Sequence, residues 1–222
     1  MSVIQGRSFH IWQPNYQPPQ ATVGSRLVEE FLQAKNKEPV LYKRPRLVYR
    51  KFGRSDDSRT FVVSTAPPNS LVKETAYYLM VNDGAPYAEM FLLGFLSSRI
   101  FDWYVRCLVD LHILPSLFSM FRIPETHAED SRKRIANLAA SITASKDDKL
   151  RNWMQDTGIP FIDLTEDQID TSIDEINALS ALLVGLTGDD VRVVFETFHI
   201  GWDYEDRLMN TLEHYRRLEA KA

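Results

Sequence analysis

The sequence is short of the residues that most often carry chemistry. It has one cysteine, Cys107, in 222 residues, which excludes an intramolecular disulfide and fits a reducing compartment. Its place in an apolar helical run leads us to expect a buried packing residue rather than a nucleophile. No apolar run reaches the roughly 18 residues that suggest a membrane span, and the first residues lack the charged-then-apolar order of a signal peptide. The expectation is a cytoplasmic protein with no membrane partner. There is no Gly-rich phosphate loop, C-x-x-C, H-E-x-x-H or G-x-S-x-G. The histidines at 10, 112, 127, 199 and 214 have no metal-ligand spacing. The pairs Asp56–Asp57, Asp147–Asp148 and Asp189–Asp190 fall in loops or first helical turns, where capping and solvation explain them.

What the chain has is a core and an uneven charge. At 44% hydrophobic it can bury a full core, as one large domain or two small ones. The net charge is −4, but residues 1–125 hold 15 Lys/Arg against 11 Asp/Glu, and residues 126–222 hold 11 against 19. Such asymmetry points to a polyanion-facing part beside a solvating or docking part. Screening confines a basic patch's field to about 10 Å, so an acidic chain can still present one.

The order of patterns predicts an α+β architecture: a small mixed or antiparallel sheet packed on a long central helix, then an acidic helical tail. Residues 1–125 form the expected α+β domain and 126–222 the tail or docking subdomain. "RSFHIW" reads as a short strand, residues 24–36 as a helix with Ser25 as N-cap, and about Leu41–Phe52 and Thr60–Thr65 as strands. From Ala85 to about Asp110 the sequence is nearly all apolar and predicts a helix of about seven turns, with one polar stripe at Arg99, Asp102 and Arg106. Phe101 and Trp103 are expected in the core. "FSMFRIPE" reads as a strand stopped by Pro124. Helices follow near 127–143, 145–156, 166–185, 188–197 and 202–219, with Thr N-caps in "LTEDQID" and "LTGDDVR".

The densest feature is basic. Seven Lys/Arg lie between Lys43 and Arg59. As a strand, residues 44–50 place Arg44, Arg46, Val48 and Arg50 on one face and Leu47, Tyr49 and Lys51 on the other, with Arg54 and Arg59 flanking the turn. Guanidinium forks so arranged suit phosphates and the O6/N7 edge of guanine. The competing reading pairs them internally with Asp56, Asp57, Glu74 or Asp102. Asp102 and Arg106 could form an i, i+4 pair, or an anchor that orients the hairpin arginines.

The segments "QGRSFHIW", "KRPRLVYRKFGRSDDSRTFVVSTAPP", "FLLGFLSSRIFDWYVRCLVDLHILPSLFSMFRIP" and "EINALSALLVGLTGDDVRVVFETFHIGWDYEDRL" occur in that order. Together they resemble the C-terminal target recognition domain of large bacterial DNA adenine-N6 methyltransferases of type IIG-like restriction–modification and phage-defence systems. Arg46, Arg50, Arg59 and Thr60 match that family's hairpin signature. Ser97, Ser98, Phe101, Asp102 and Arg106 match its helix signature, with Ser97 in place of the usual Asn. Asp57 stands where the family often has Asn, and "FRIP" makes Arg122 a departure that could add a phosphate contact.

The resemblance implies a DNA-binding specificity module without a catalytic domain. Its expected DNA-contacting set is Arg44, Arg46, Arg50, Lys51, Arg54, Arg59, Thr60 and Arg122, supported by Ser97, Ser98, Asp102 and Arg106. Neither "QPPQ" nor "APPN" has the flanks of an adenine-methylation motif, so no catalytic residue, metal or cofactor is expected on this chain. S-adenosylmethionine is expected on a partner catalytic domain, in cis or in trans, and double-stranded DNA is the other partner. The alternative is a docking subunit of a phage-defence complex, its arginines meeting acids on a partner methyltransferase. A weaker third reading, an enzyme with Asp102 or His112 as base, lacks a second catalytic group at recognisable spacing.

Overall fold

The computed structural model describes residues 1–35, 40–81, 85–118, 120, 129–197 and 204–221. Its architecture is α+β, and the first sheet is mixed. Strand β1 (Ser2–Ile4) pairs antiparallel with β2 (Ala21–Thr22) and parallel with β5 (Ser70–Val72). In the second sheet β3 (Arg46–Arg50) lies between β4 (Val63–Ala66) and β6 (Ala76–Leu79), antiparallel to both. "RLVYR" suits a central strand because its branched and aromatic side chains pack on both pleated faces. The link from β4 to β5 turns at Asn69, whose φ of 61° asparagine accepts more readily than most residues.

"RSFHIW" is not a strand. Gly6–Ser8 form a 3-10 turn, and residues 10–13 close a tight turn in which His10 and Gln13 exchange two backbone hydrogen bonds of 2.9 Å. Helix α1 (Ser25–Ala34) has Gly24 rather than Ser25 as N-cap. A short helix, α2 (Val40–Lys43), occupies part of the stretch read as strand before β3.

The seven-turn helix is two. Helix α3 (Pro86–Ser97) begins with proline at its first position and ends where Ser98 turns extended, at φ −68° and ψ 155°. Helix α4 (Arg99–Leu108) restarts there, with Ser98 Oγ accepting the Phe101 N–H at 3.1 Å. Apolar periodicity runs through the break; the serine cap decides it. Cys107, expected buried, is exposed, because it lies about 200° around α4 from the buried Val105. Helix α5 (Pro115–Phe118) takes the start of the strand expected at 118–125; most of that strand, with Arg122, lies outside the described residues.

The acidic half is helical as expected: α6 (Glu129–Lys146), α7 (Asp148–Thr157), α8 (Glu166–Leu183), α9 (Gly188–Glu196) and α10 (Glu205–Glu219). Thr165 and Thr187 close capping boxes with Gln168 and Asp190, each cap worth about 1 kcal/mol. Asp147 caps α7, its carboxylate accepting the Leu150 N–H at 2.9 Å. The core does not break near residue 125. One cluster joins Leu47, Tyr49, Phe61 and Phe101 to Ile135, Ala139, Ile176 and Leu179, and α3 packs on α6 where Gly94 leaves no room for a Cβ against Ile135. Fully buried side chains such as Phe61 and Ile135 each stabilise the fold by about 1.5–3 kcal/mol over exposure. Phe101 is in this core; Trp103 is half-buried against a second cluster around Phe195 and Leu212.

Candidate nucleic-acid interface

The expected basic face of β3 is covered. Both faces of a central strand are packed, and here residues 6–12 and β5 meet the arginine side. The Arg46 guanidinium donates to the Ser70 carbonyl and lies 5.6 Å from the centre of the Tyr78 ring, leaving the residue 5% exposed. Arg50 donates to the Phe9 carbonyl at 2.7 Å. The opposite face turns Tyr49 onto Phe61 and Tyr77. As a surface contact for DNA, Arg46 is therefore corrected: segments distant in sequence bury it, while Arg50 is half-buried with its guanidinium held by the Phe9 carbonyl. Burial weighs against the charge on both, and carbonyl partners compensate in part.

Arg59 is drawn inward as well. Its side chain is 10% exposed, Nη1 donates to the Ser98 carbonyl at 3.2 Å, and the same atom lies 3.8 Å from Asp102. Arg99 reaches Asp102 at 3.9 Å and donates to the Ser58 carbonyl at 2.5 Å. Asp102 is fully buried; Oδ1 accepts the Phe61 N–H at 2.6 Å. Burial opposes the Asp102 charge, while Arg59, the Phe61 amide and Arg99 favour it. Arg106 donates to the carbonyls of Asp57 and Thr197. Thr60, 1% exposed, donates to the Arg54 carbonyl at 2.9 Å, so its hydroxyl belongs to the loop's framework.

These bonds hold the β3–β4 connection from beneath and from within. Gly53 donates its N–H to Leu111, and the Asp57 carboxylate accepts the Arg54 N–H at 3.0 Å. That is the local turn chemistry of aspartate. Of the supporting set, Ser98 caps α4, Asp102 and Arg106 grip the loop, and Ser97 is buried with no hydrogen bond to its hydroxyl among the described residues. The polar stripe of α4 is thus the loop's anchor, and Arg99, outside the expected site, belongs to it.

The cations left toward solvent are different ones. Arg54 is 64% exposed and forks onto Asp56 at 2.8 and 3.0 Å. A pair so exposed contributes little to stability, so a phosphate can replace the aspartate at little cost. Lys51 extends over the rings of Phe52 and Tyr77, 5.6 and 5.9 Å from their centres. Arg44, with a side chain 27% exposed, faces the buried Glu89 at 3.3 Å. Among the described residues no group of three His, Cys, Asp or Glu side chains could hold a metal, and no helix is long and apolar enough to cross a membrane.

Comparison with protein-family models, curated proteins and solved structures returned no match.

Proposed function

We propose that the chain is a target recognition module for double-stranded DNA, the specificity part of an adenine-N6 methyltransferase or restriction–modification system. A partner catalytic domain, in cis or in trans, supplies S-adenosylmethionine and the transfer. One observation carries the reading: the β3–β4 loop is gripped by Asp102, Arg99 and Arg106 and lifts Arg54 to solvent, with Lys51 at its start lying over the Phe52 and Tyr77 rings. A rigid scaffold that positions a basic loop is a common way to build a recognition surface. The arginines shared with the resembling family act as framework, and Arg54, Lys51 and Arg44 make the contacts.

Duplex binding measured against salt tests this. Each phosphate contact lowers the slope of log K on log salt by about 0.9. Lys51→Ala and Arg54→Ala should each weaken binding and reduce the slope by roughly one contact. Unchanged affinity and slope in both variants would remove the loop from the DNA surface.

A second reading, docking to a partner methyltransferase rather than DNA, is favoured by exposed apolar side chains along α4 and just beyond it: Tyr104, Leu108, Leu111 and Leu114. Exposed apolar patches of this kind mark protein contacts. It predicts negligible duplex binding at low salt, together with co-purification of the catalytic partner that Leu108→Glu abolishes.

A further inference from the structure

One face of α7 borders an open cleft. Lys149, Asn152, Trp153 and Asp156 recur at i, i+3, i+4 and i+7, so they share a side of the helix. Leu150 and Met154, about a third of a turn away, are buried in the core instead. All four residues of the first face line a space of about 650 Å³, whose other lining comes from β1, the loop between residues 14 and 19, Lys43 and residues 67–70. That volume lies within the roughly 300–1,000 Å³ usual for small-molecule sites. The walls are tied at one end, where Asn15 donates to the carboxylate of Asp147, the residue that caps α7.

The chemistry of that lining is selective. Among the described residues its charged side chains are Lys43, Lys149 and Asp156. Lys43 meets Glu29 only at 3.7 Å, with both side chains more than half exposed. Lys149 and Asp156, both exposed, have no ion-pair partner among the described residues, and roughly 10 Å of helix rise separates them. Trp153 stands between the two. It is half-buried, touching the core cluster while also lining the cleft. Gln17, Asn69 and Asn152 add carboxamides that make no side-chain hydrogen bond among the described residues, and a carboxamide can both donate and accept.

We propose that this cleft binds a nucleotide, with its base against Trp153 and its phosphate at Lys149 and Lys43. An aromatic ring stacks on any base, carboxamides pair with base edges, and lysine serves phosphate as a point charge. Asp156 suits a ribose hydroxyl, a common role for an acid in a nucleotide site. Inorganic phosphate would engage the lysines and leave the tryptophan and carboxamides unused; a neutral sugar would leave the lysines unused. The same chemistry arises from a free nucleotide or from an unpaired nucleotide in a nucleic acid. The inference does not rest on duplex recognition, since a paired base has no open face until it leaves the stack.

The test is NMR titration of the full chain with ribonucleoside monophosphates carrying each of the four bases, following the Trp153 indole N–H, assigned by its absence in Trp153→Phe. At least one monophosphate moves the Trp153 resonance saturably, and the matching nucleoside and inorganic phosphate each bind more weakly. Lys149→Ala, which removes an exposed side chain without an ion pair, should weaken the monophosphate about tenfold and leave the nucleoside unchanged. If no monophosphate moves Trp153 beyond a chloride control of equal ionic strength, the proposal is wrong. Equal monophosphate affinity in Lys149→Ala would overturn the placement of the phosphate. The titration uses the unaltered protein, so it decides even where a variant fails to fold. A duplex carrying one unpaired nucleotide then separates the sources. Competition with the monophosphate for the Trp153 shift identifies a nucleotide of nucleic acid, and an unmoved Trp153 identifies a free one. A chain that binds duplex through Lys51 and Arg54 but ignores every monophosphate loses this site and keeps the DNA reading; the reverse result keeps the site alone.

Discussion

Oδ1 of Asp102 accepts the backbone N–H of Phe61 at 2.6 Å, tying the first turn of α4 to the segment that enters β4. The other oxygen of the carboxylate faces Arg59 and Arg99 at 3.8 and 3.9 Å. One fully buried acid therefore holds a backbone turn and two guanidiniums at once.

Removing that acid takes the shared carboxylate away from two nearly buried cations. Asp102→Ala should cost about 3–5 kcal/mol of unfolding free energy, read as a lower midpoint in guanidinium denaturation. Asp102→Asn keeps an acceptor for Phe61 and should fall between the two. A loss under about 1 kcal/mol in the alanine variant would mean that solvent already reaches the cluster.

Arg59 and Arg54 should separate cleanly in stability. Arg59→Ala deletes a nearly buried guanidinium and strips Asp102 of a partner, so its thermal midpoint should drop by several degrees, corresponding to at least about 1 kcal/mol. Arg54→Ala deletes only an exposed pair and should leave the thermal midpoint close to the parent's. Differential scanning calorimetry of both variants reads the contrast. Equal losses would contradict the division between framework and contact residues.

His10 predicts an acid limb. Its folded pKa, lowered by burial to about 4 from the ordinary 6.5, means the unfolded chain binds the proton more tightly between those values. Stability is therefore complete above pH 6.5 and falls as pH drops toward 4. Asp174 works in the opposite sense: burial raises its pKa to about 6, so it favours the folded state as pH falls. The comparison with His10→Asn isolates the histidine, and urea midpoints measured from pH 7 to pH 4 should decline less steeply in the variant. Parallel curves would show that His10 keeps an ordinary pKa.

Gly94 tests the continuity of the core across residue 125. A methyl there meets Ile135 Cγ2, with the Ile135 carbonyl oxygen at 3.3 Å, and forced overpacking costs typically 1–3 kcal/mol. Gly94→Ala should lower the melting temperature of the whole chain in a single transition, although alanine favours helix. Two separated transitions in the parent protein would instead mark two independent domains.

The sequence by itself determined what local physics controls. Helices α6 to α10 follow 3.6-residue periodicity and threonine caps at 165 and 187, interactions made within a few residues, and their positions agree with expectation to within a few residues. The central strand was legible in "RLVYR" for the same reason. The polar stripe of α4 left Asp102 and Arg106 open between an i, i+4 pair and an anchor for the hairpin arginines, and it contained Arg99. Tertiary structure decided everything that depends on which distant segment covers a surface. Alternation placed Arg46 and Arg50 on one face of β3, but only the packing of residues 6–12 and β5 made that face an interior one and supplied the carbonyls of Phe9 and Ser70. The break at Ser98, the outward turn of Cys107 and the positive φ of Trp12 are of the same kind. No pattern in the chain distinguishes an arginine that will meet a carbonyl forty residues away from one that will meet solvent, because burial is set by the whole fold and not by the neighbours in sequence.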